Sequence, residues 1–221
     1  MPVLKRDKDV IHFIHIPKTG GTSVLQLLEE NGWIAMKESH DHPHREIWED
    51  YDKIWNYQFT VVRNPLDKIE SSYFHISRAN YIAGISPDIR FCKTQEELYN
   101  EEKKFLFFVN RLVNKLSNKD LDIGVDNNFF RPQADFIGRD TKVFMLEDID
   151  SLVRDLKEKG YVSDDSKIKH YRHRSRVDSD PASPPTLEIS LKRAWRISNP
   201  IKQAFISFYI NDFETLGYTK I

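Results

Sequence analysis

His15-Ile16-Pro17-Lys18-Thr19-Gly20-Gly21-Thr22-Ser23 is the stretch whose reading decides the fold. It follows an apolar run, Val10 to Ile16, and leads into Val24-Leu25-Gln26-Leu27-Leu28. That order predicts a strand, a tight glycine turn and the first turn of a helix. Two adjacent glycines let the backbone fold close, so that successive N–H groups converge on one point. The helix adds its free N-terminal amides and the positive end of its dipole. With Lys18 and the hydroxyls of Thr19, Thr22 and Ser23 alongside, the stretch suits a dianionic group such as a phosphate. Its spacing argues against the nucleoside-triphosphate loop G-x-x-x-x-G-K-[ST], because Lys18 precedes both glycines. A plain strand-turn-helix junction capped by Thr22 or Ser23 is the simpler alternative.

Outward from this loop, the grammar repeats. Phe59-Thr60-Val61-Val62 reads as a buried strand that runs into Arg63-Asn64-Pro65, with Asn64 as N-cap and Pro65 at the first helical position. Leu66, Ile69, Tyr73 and Ile76 then recur at helical spacing. A third strand, Val143-Phe144-Met145-Leu146, precedes a helix over Ser151 to Lys159 that stops at Gly160. Trp33 to Met36 is a further strand candidate, and Phe105, Phe108, Val109, Leu112, Val113 and Leu116 share one face of a long helix. The C-terminus reads as one or two helices broken near Pro200. The fold class is therefore α/β, with a central, mainly parallel sheet flanked by helices in a three-layer, P-loop-like arrangement. Ligands of such sheets bind at the carboxyl ends of the strands, where both the Lys18 loop and Arg63 fall.

Composition narrows the class. The 221 residues carry a formal charge of −1, so nothing global points to nucleic acid. A single cysteine, Cys92, excludes an internal disulfide framework. Met1 to Asp9 is polar and charged, and no apolar run approaches a membrane span, which predicts a soluble, cytoplasmic protein. One domain over residues 1–221 is expected, with an irregular and helical excursion from Tyr81 to Gly138.

The two junctions together resemble the cofactor motifs of the carbohydrate sulfotransferases. In that family the first motif holds the 5′-phosphosulfate of 3′-phosphoadenosine 5′-phosphosulfate (PAPS), and the second, R-[ND]-P-x-x-R-x-x-S, holds its 3′-phosphate. The resemblance assigns PAPS binding to Lys18, Thr19, Gly20, Gly21, Thr22 and Ser23, and to Arg63 and Ser71, with Lys68 where the family has arginine. It continues in Arg131-Pro132-Gln133-Ala134-Asp135, in Phe144 to Asp148 and in the ending Asn211 to Tyr218. Lys18 is then suited to the bridging oxygen on which charge grows as the S–O bond breaks. The hexuronic-acid 2-O-sulfotransferases carry an H-x-H pair after the second strand, which His40-Asp41-His42 resembles. His42 is the expected base, with His40 assisting. His44 completes a set that is alternatively a solvated loop or, in extended chain, a zinc or nickel chelate. His12 and His15 read as ordinary strand residues.

By the same resemblance, Ser175 and Arg176 match a loop that closes over the nucleotide. They end a basic stretch, Lys167 to Arg176, in which Arg172 and Arg174 are candidates to meet an acidic or sulfated acceptor. Arg131 and Gln133 are candidates to grip a sugar. The expected acceptor is a hydroxyl-bearing molecule such as a glycan, with residues 81–138 on its side, and the expected type is the soluble bacterial one. Two other classes stay open: a nucleotide- or phosphate-binding protein without transfer activity, and a P-loop kinase using Glu147 or Asp148 at a strand end for magnesium.

Overall fold

The computed structural model describes residues 2–37, 54–82, 91–92, 94–117, 127–168, 187–188 and 194–220. Its strands are β1 (Val3–Arg6), β2 (Asp9–Ile14), β3 (Ile34–Lys37), β4 (Tyr57–Val62), β5 (Phe91–Cys92), β6 (Lys142–Met145) and β7 (Leu187–Glu188). Its helices are α1 (Gly21–Glu30), α2 (Pro65–Ile82), α3 (Gln95–Ser117), α4 (Ile149–Glu158), α5 (Asn199–Phe208) and α6 (Ile210–Thr215). They group into two compact units, residues 1–63 with 131–175 and residues 64–130 with 176–221.

The first unit is built on a five-stranded sheet of order β3-β1-β2-β4-β6. β2, β4 and β6 pair in parallel, as expected of strands that each lead out toward a helix. The sheet is nevertheless mixed, where a mainly parallel one was expected. β1 pairs antiparallel with both β2 and β3. The cause is local: Asp7, at φ 54°, takes the left-handed conformation that aspartate tolerates, and folds the polar N-terminal segment back as a hairpin on β2. The charges of Lys5 and Arg6 mask this strand in the sequence, since Leu4 alone of its residues is fully buried.

Ile11, Phe13, Phe59, Val61 and Phe144 pack with Val24, Leu27 and Leu28 of α1 and Leu152, Val153 and Leu156 of α4. Thr60 and Val62, alternate to those core residues on β4, are also buried. Burial on both faces is why Phe59 to Val62 reads as a continuous run instead of alternating. α1 stops at Asn31-Gly32, with Gly32 at φ 83°, in the expected place. The Arg6 guanidinium gathers the ends of two helices, donating to the carbonyls of Asn31 (3.2 Å), Tyr161 (2.8 Å) and Gly160 (2.6 Å). At the amino ends of β4 and β6, Asp155 accepts hydrogen bonds from Tyr57 and Lys142.

The second unit is helical, with a core of Leu66, Ile69 and Phe74 from α2, Phe105, Val109 and Leu112 from α3, and Trp195, Phe205, Tyr209 and Phe213 toward the C-terminus. Pro200 lies in the first turn of α5 and so starts that helix instead of breaking one, since its missing N–H falls among amides that have no intrahelical partner. The carbonyl of Phe129 accepts from Lys68 Nζ at 2.9 Å and from Ser72 Oγ at 3.0 Å, and that of Phe130 accepts from the Tyr209 hydroxyl. Lys68 is thus a buried strut of this unit.

Candidate functional site

β2 and β4 are parallel neighbours, with Ile14 beside Thr60. Their carboxyl ends therefore open at the same edge of the sheet, and the two junctions singled out in the sequence leave from adjacent points. The Thr60 hydroxyl ties them further by donating to the Ile14 carbonyl at 2.7 Å.

After Ile14 the chain turns through a loop whose geometry is demanding. Lys18 has φ 67° and Gly20 φ 86°, both left-handed, and a lysine is rarely held so. Between them Thr19 is fully buried, and its hydroxyl donates to the Ile16 carbonyl at 2.9 Å. The expected phosphate hydroxyl is in fact a brace of the loop, because a buried donor is held by the nearest backbone acceptor. Among the described residues, no side chain caps α1, whose N-cap is Gly20. This replaces the capped-junction alternative: Thr22 and Ser23 lie inside the first turn, past the capping position. The N–H groups of Ser23 and Val24 both turn to the Gly20 carbonyl, at 3.0 and 3.3 Å. The amides of Gly21 and Thr22 precede them at the dipole's positive end.

Both glycines have close neighbours. A Cβ on Gly20 would stand 2.7 Å from Leu146 Cδ1, where β6 ends. A Cβ on Gly21 would stand 1.9 Å from His15 Cδ2 and 2.1 Å from its Nε2. The imidazole of His15, stacked on Phe13 at 5.6 Å between centroids, is thus the floor on which the first turn of α1 rests. That is a larger task than its reading as an ordinary strand residue allows. Its neighbour His12 is buried beside Trp55, and burial, with a smaller contribution from the N-terminal charge, lowers its pKa to about 4.

Arg63 follows β4 directly. Its Nη1 reaches the Lys18 carbonyl at 3.4 Å, which brings the arginine of the second junction against the first loop. Its backbone is held by Gln133: the N–H donates to Oε1 at 2.8 Å, and Nε2 donates to the carbonyl at 2.7 Å. Gln133 is fully buried with its amide engaged at both ends, so the expected sugar-gripping residue has another task. Arg131, two residues before it, is half-buried.

A family model described as the sulfotransferase family matches residues 2–219. The chain belongs to the sulfotransferase family. The match runs across both compact units. No curated protein and no solved structure gives a significant match. In this sulfotransferase Ser71 is buried within α2. Asp148, which the kinase alternative needed, is exposed and faces Arg154 at 4.0 Å. Sulfotransferase membership displaces that alternative. His40, His42, His44, Arg172, Arg174, Ser175 and Arg176 lie outside the described residues. Among the described residues, no helix is long and apolar enough to cross a membrane.

Proposed function

We propose that this sulfotransferase moves a sulfuryl group from PAPS to a hydroxyl of a carbohydrate or another alcohol, in a single domain of the 2-O-sulfotransferase-like type. The observation that carries the reading is the approach of Arg63 to the Lys18 loop, beside an α-helix that no side chain caps among the described residues. Two devices for anions, one of amides and one of guanidinium, stand at the ends of adjacent parallel strands, and a nucleotide bearing two separate phosphate groups fits that donor set.

When bound, PAPS supplies a sulfuryl group whose leaving group is its own 5′-phosphate. Lys18 and the amides of Gly21 and Thr22 neutralise the charge that grows on that phosphate. Arg63 holds the 3′-phosphate and so fixes the donor for in-line displacement. His42, with His40 beside it in sequence, takes the proton of the acceptor hydroxyl. A screen of glycan and small alcohol acceptors with labelled PAPS tests the reading, run beside Lys18→Ala and His42→Ala. Both variants are expected to lose transfer by orders of magnitude, and only Lys18→Ala to weaken binding of adenosine 3′,5′-bisphosphate. Nucleotide binding with no transfer to any acceptor supports the binding-protein alternative, and full turnover in both variants refutes the site.

A further inference from the structure

Gln133 stands seventy residues from Arg63 in the chain yet meets it at both backbone polar groups. The parallel ladder between β4 and β6 ends with Val62 beside Met145, one residue short of Arg63. Beyond it, the planar amide of Gln133 does for Arg63 what a neighbouring strand does for Val62: it accepts from the N–H and donates to the carbonyl. Two hydrogen bonds to one residue fix the orientation of its peptide planes, and hence the direction in which its side chain leaves the backbone. That side chain ends 3.4 Å from the Lys18 carbonyl, in the turn where Lys18 itself is held at φ 67°. Gln133 is 0% exposed, so the clamp is shielded from competing water.

Resting on the nucleotide reading above, we infer that Gln133 is a positioning residue for 3′-phosphate recognition: its side-chain amide, clamped on the backbone of Arg63, aims that guanidinium. A buried glutamine that served only to satisfy two backbone groups would affect stability alone. One that aims Arg63 sets how strongly the protein prefers a nucleotide with a 3′-phosphate over the same nucleotide without it.

The experiment measures Kd for adenosine 3′,5′-bisphosphate and for adenosine 5′-monophosphate by calorimetry, in the wild type, Gln133→Leu, Arg63→Ala and the double variant. Gln133→Leu is expected to lower the ratio of the two affinities about tenfold, the weakening that loss of about one charge-assisted hydrogen bond to the 3′-phosphate would bring. In the Arg63→Ala background the same change should leave the ratio unmoved, since the two residues act as one unit. Should Gln133→Leu fail to fold, Gln133→Glu carries the test. It keeps an acceptor for the Arg63 N–H but sets a carboxylate oxygen against the Arg63 carbonyl. Its ratio, taken relative to wild type at each pH, should recover as acidification turns the introduced carboxyl into a donor. If Arg63→Ala lowers the ratio while both Gln133 variants weaken the two nucleotides equally or not at all, the positioning role is overturned and the nucleotide reading stands. If Arg63→Ala leaves the ratio intact, the nucleotide reading falls and the inference with it.

Discussion

Replacing Gly21 by alanine sets two effects of opposite sign against each other. Helix propensity favours the change by at most about 1 kcal/mol, since alanine is the best helix former and glycine among the worst. The new methyl, however, would lie 1.9, 2.1 and 2.9 Å from three atoms of the His15 ring. Carbon atoms rest at about 3.5–4.0 Å, so the overlap is on the order of 1.5 Å and cannot be relieved by a small torsion. Phe13, stacked on the ring at 5.6 Å between centroids, blocks its retreat on that side. Overpacking of this kind costs about 1–3 kcal/mol, which outweighs the propensity gain. With the propensity gain taken off, the net loss is up to about 2 kcal/mol, which in a chain of this length lowers Tm by up to about 8 °C. If the strain is relieved by lifting the first turn of α1 by about 1 Å, sulfuryl transfer should also drop about a hundredfold. The assay is a thermal melt of Gly21→Ala, His15→Ala and the double variant. Removal of the ring should restore much of the stability that Gly21→Ala loses, giving a coupling energy above about 1 kcal/mol. A single variant as stable as the wild type, or a double variant no better than the sum of its parts, refutes the claim that His15 supports the loop.

Three further outcomes are expected. His12 has a folded pKa lowered to about 4. Below its ordinary value near 6.5 the unfolded chain therefore binds the proton first, and stability is lost between about pH 6.5 and 4, by roughly 3 kcal/mol from this residue alone. Denaturation midpoints of His12→Gln across that range should show a flatter slope. Asp155 acts lower on the scale. Burial works to raise its pKa, but the hydrogen bonds from Lys142 and Tyr57 prevail and hold it below the usual carboxylate value. Its contribution is present above about pH 4 and fades as pH falls through the folded value, so Asp155→Asn should cost about 1–3 kcal/mol at pH 7 and little in strong acid. Arg6→Ala should lower the urea midpoint by the equivalent of about 2–3 kcal/mol, and Arg6→Lys should restore only part, because one ammonium cannot reproduce the guanidinium's spread of donors to three carbonyls.

What is legible in the sequence follows from local physics. The runs from Val10 and to Val62 announce strands because both faces are buried, and Gly20-Gly21 announces a turn because paired glycines let the backbone fold close. The adjacency of the two strands, on which a shared anion site depends, is met by the register of Ile14 beside Thr60. Long-range pairing is not legible. Val3 to Arg6 carries little apolar signal, and becomes a strand only because β2 and β3 flank it. Gln133 sits in a segment notable for its resemblance alone, and nothing near it in sequence announces a partner seventy residues away. His15 leaves a fainter trace: a glycine forced to begin a helix implies that something large occupies the place of its missing side chain.

The position of β1 inside the sheet has a consequence for handling the protein. Among the described residues, β3 reaches the rest of the sheet only through β1, since the order runs β3-β1-β2-β4-β6. Clipping the first eight residues by protease, or jamming them with a fused tag, would orphan a second strand as well and bare the flank of β2 to any extended chain nearby. Loss of only this short charged segment thereby adds an unpaired strand flank to the sheet.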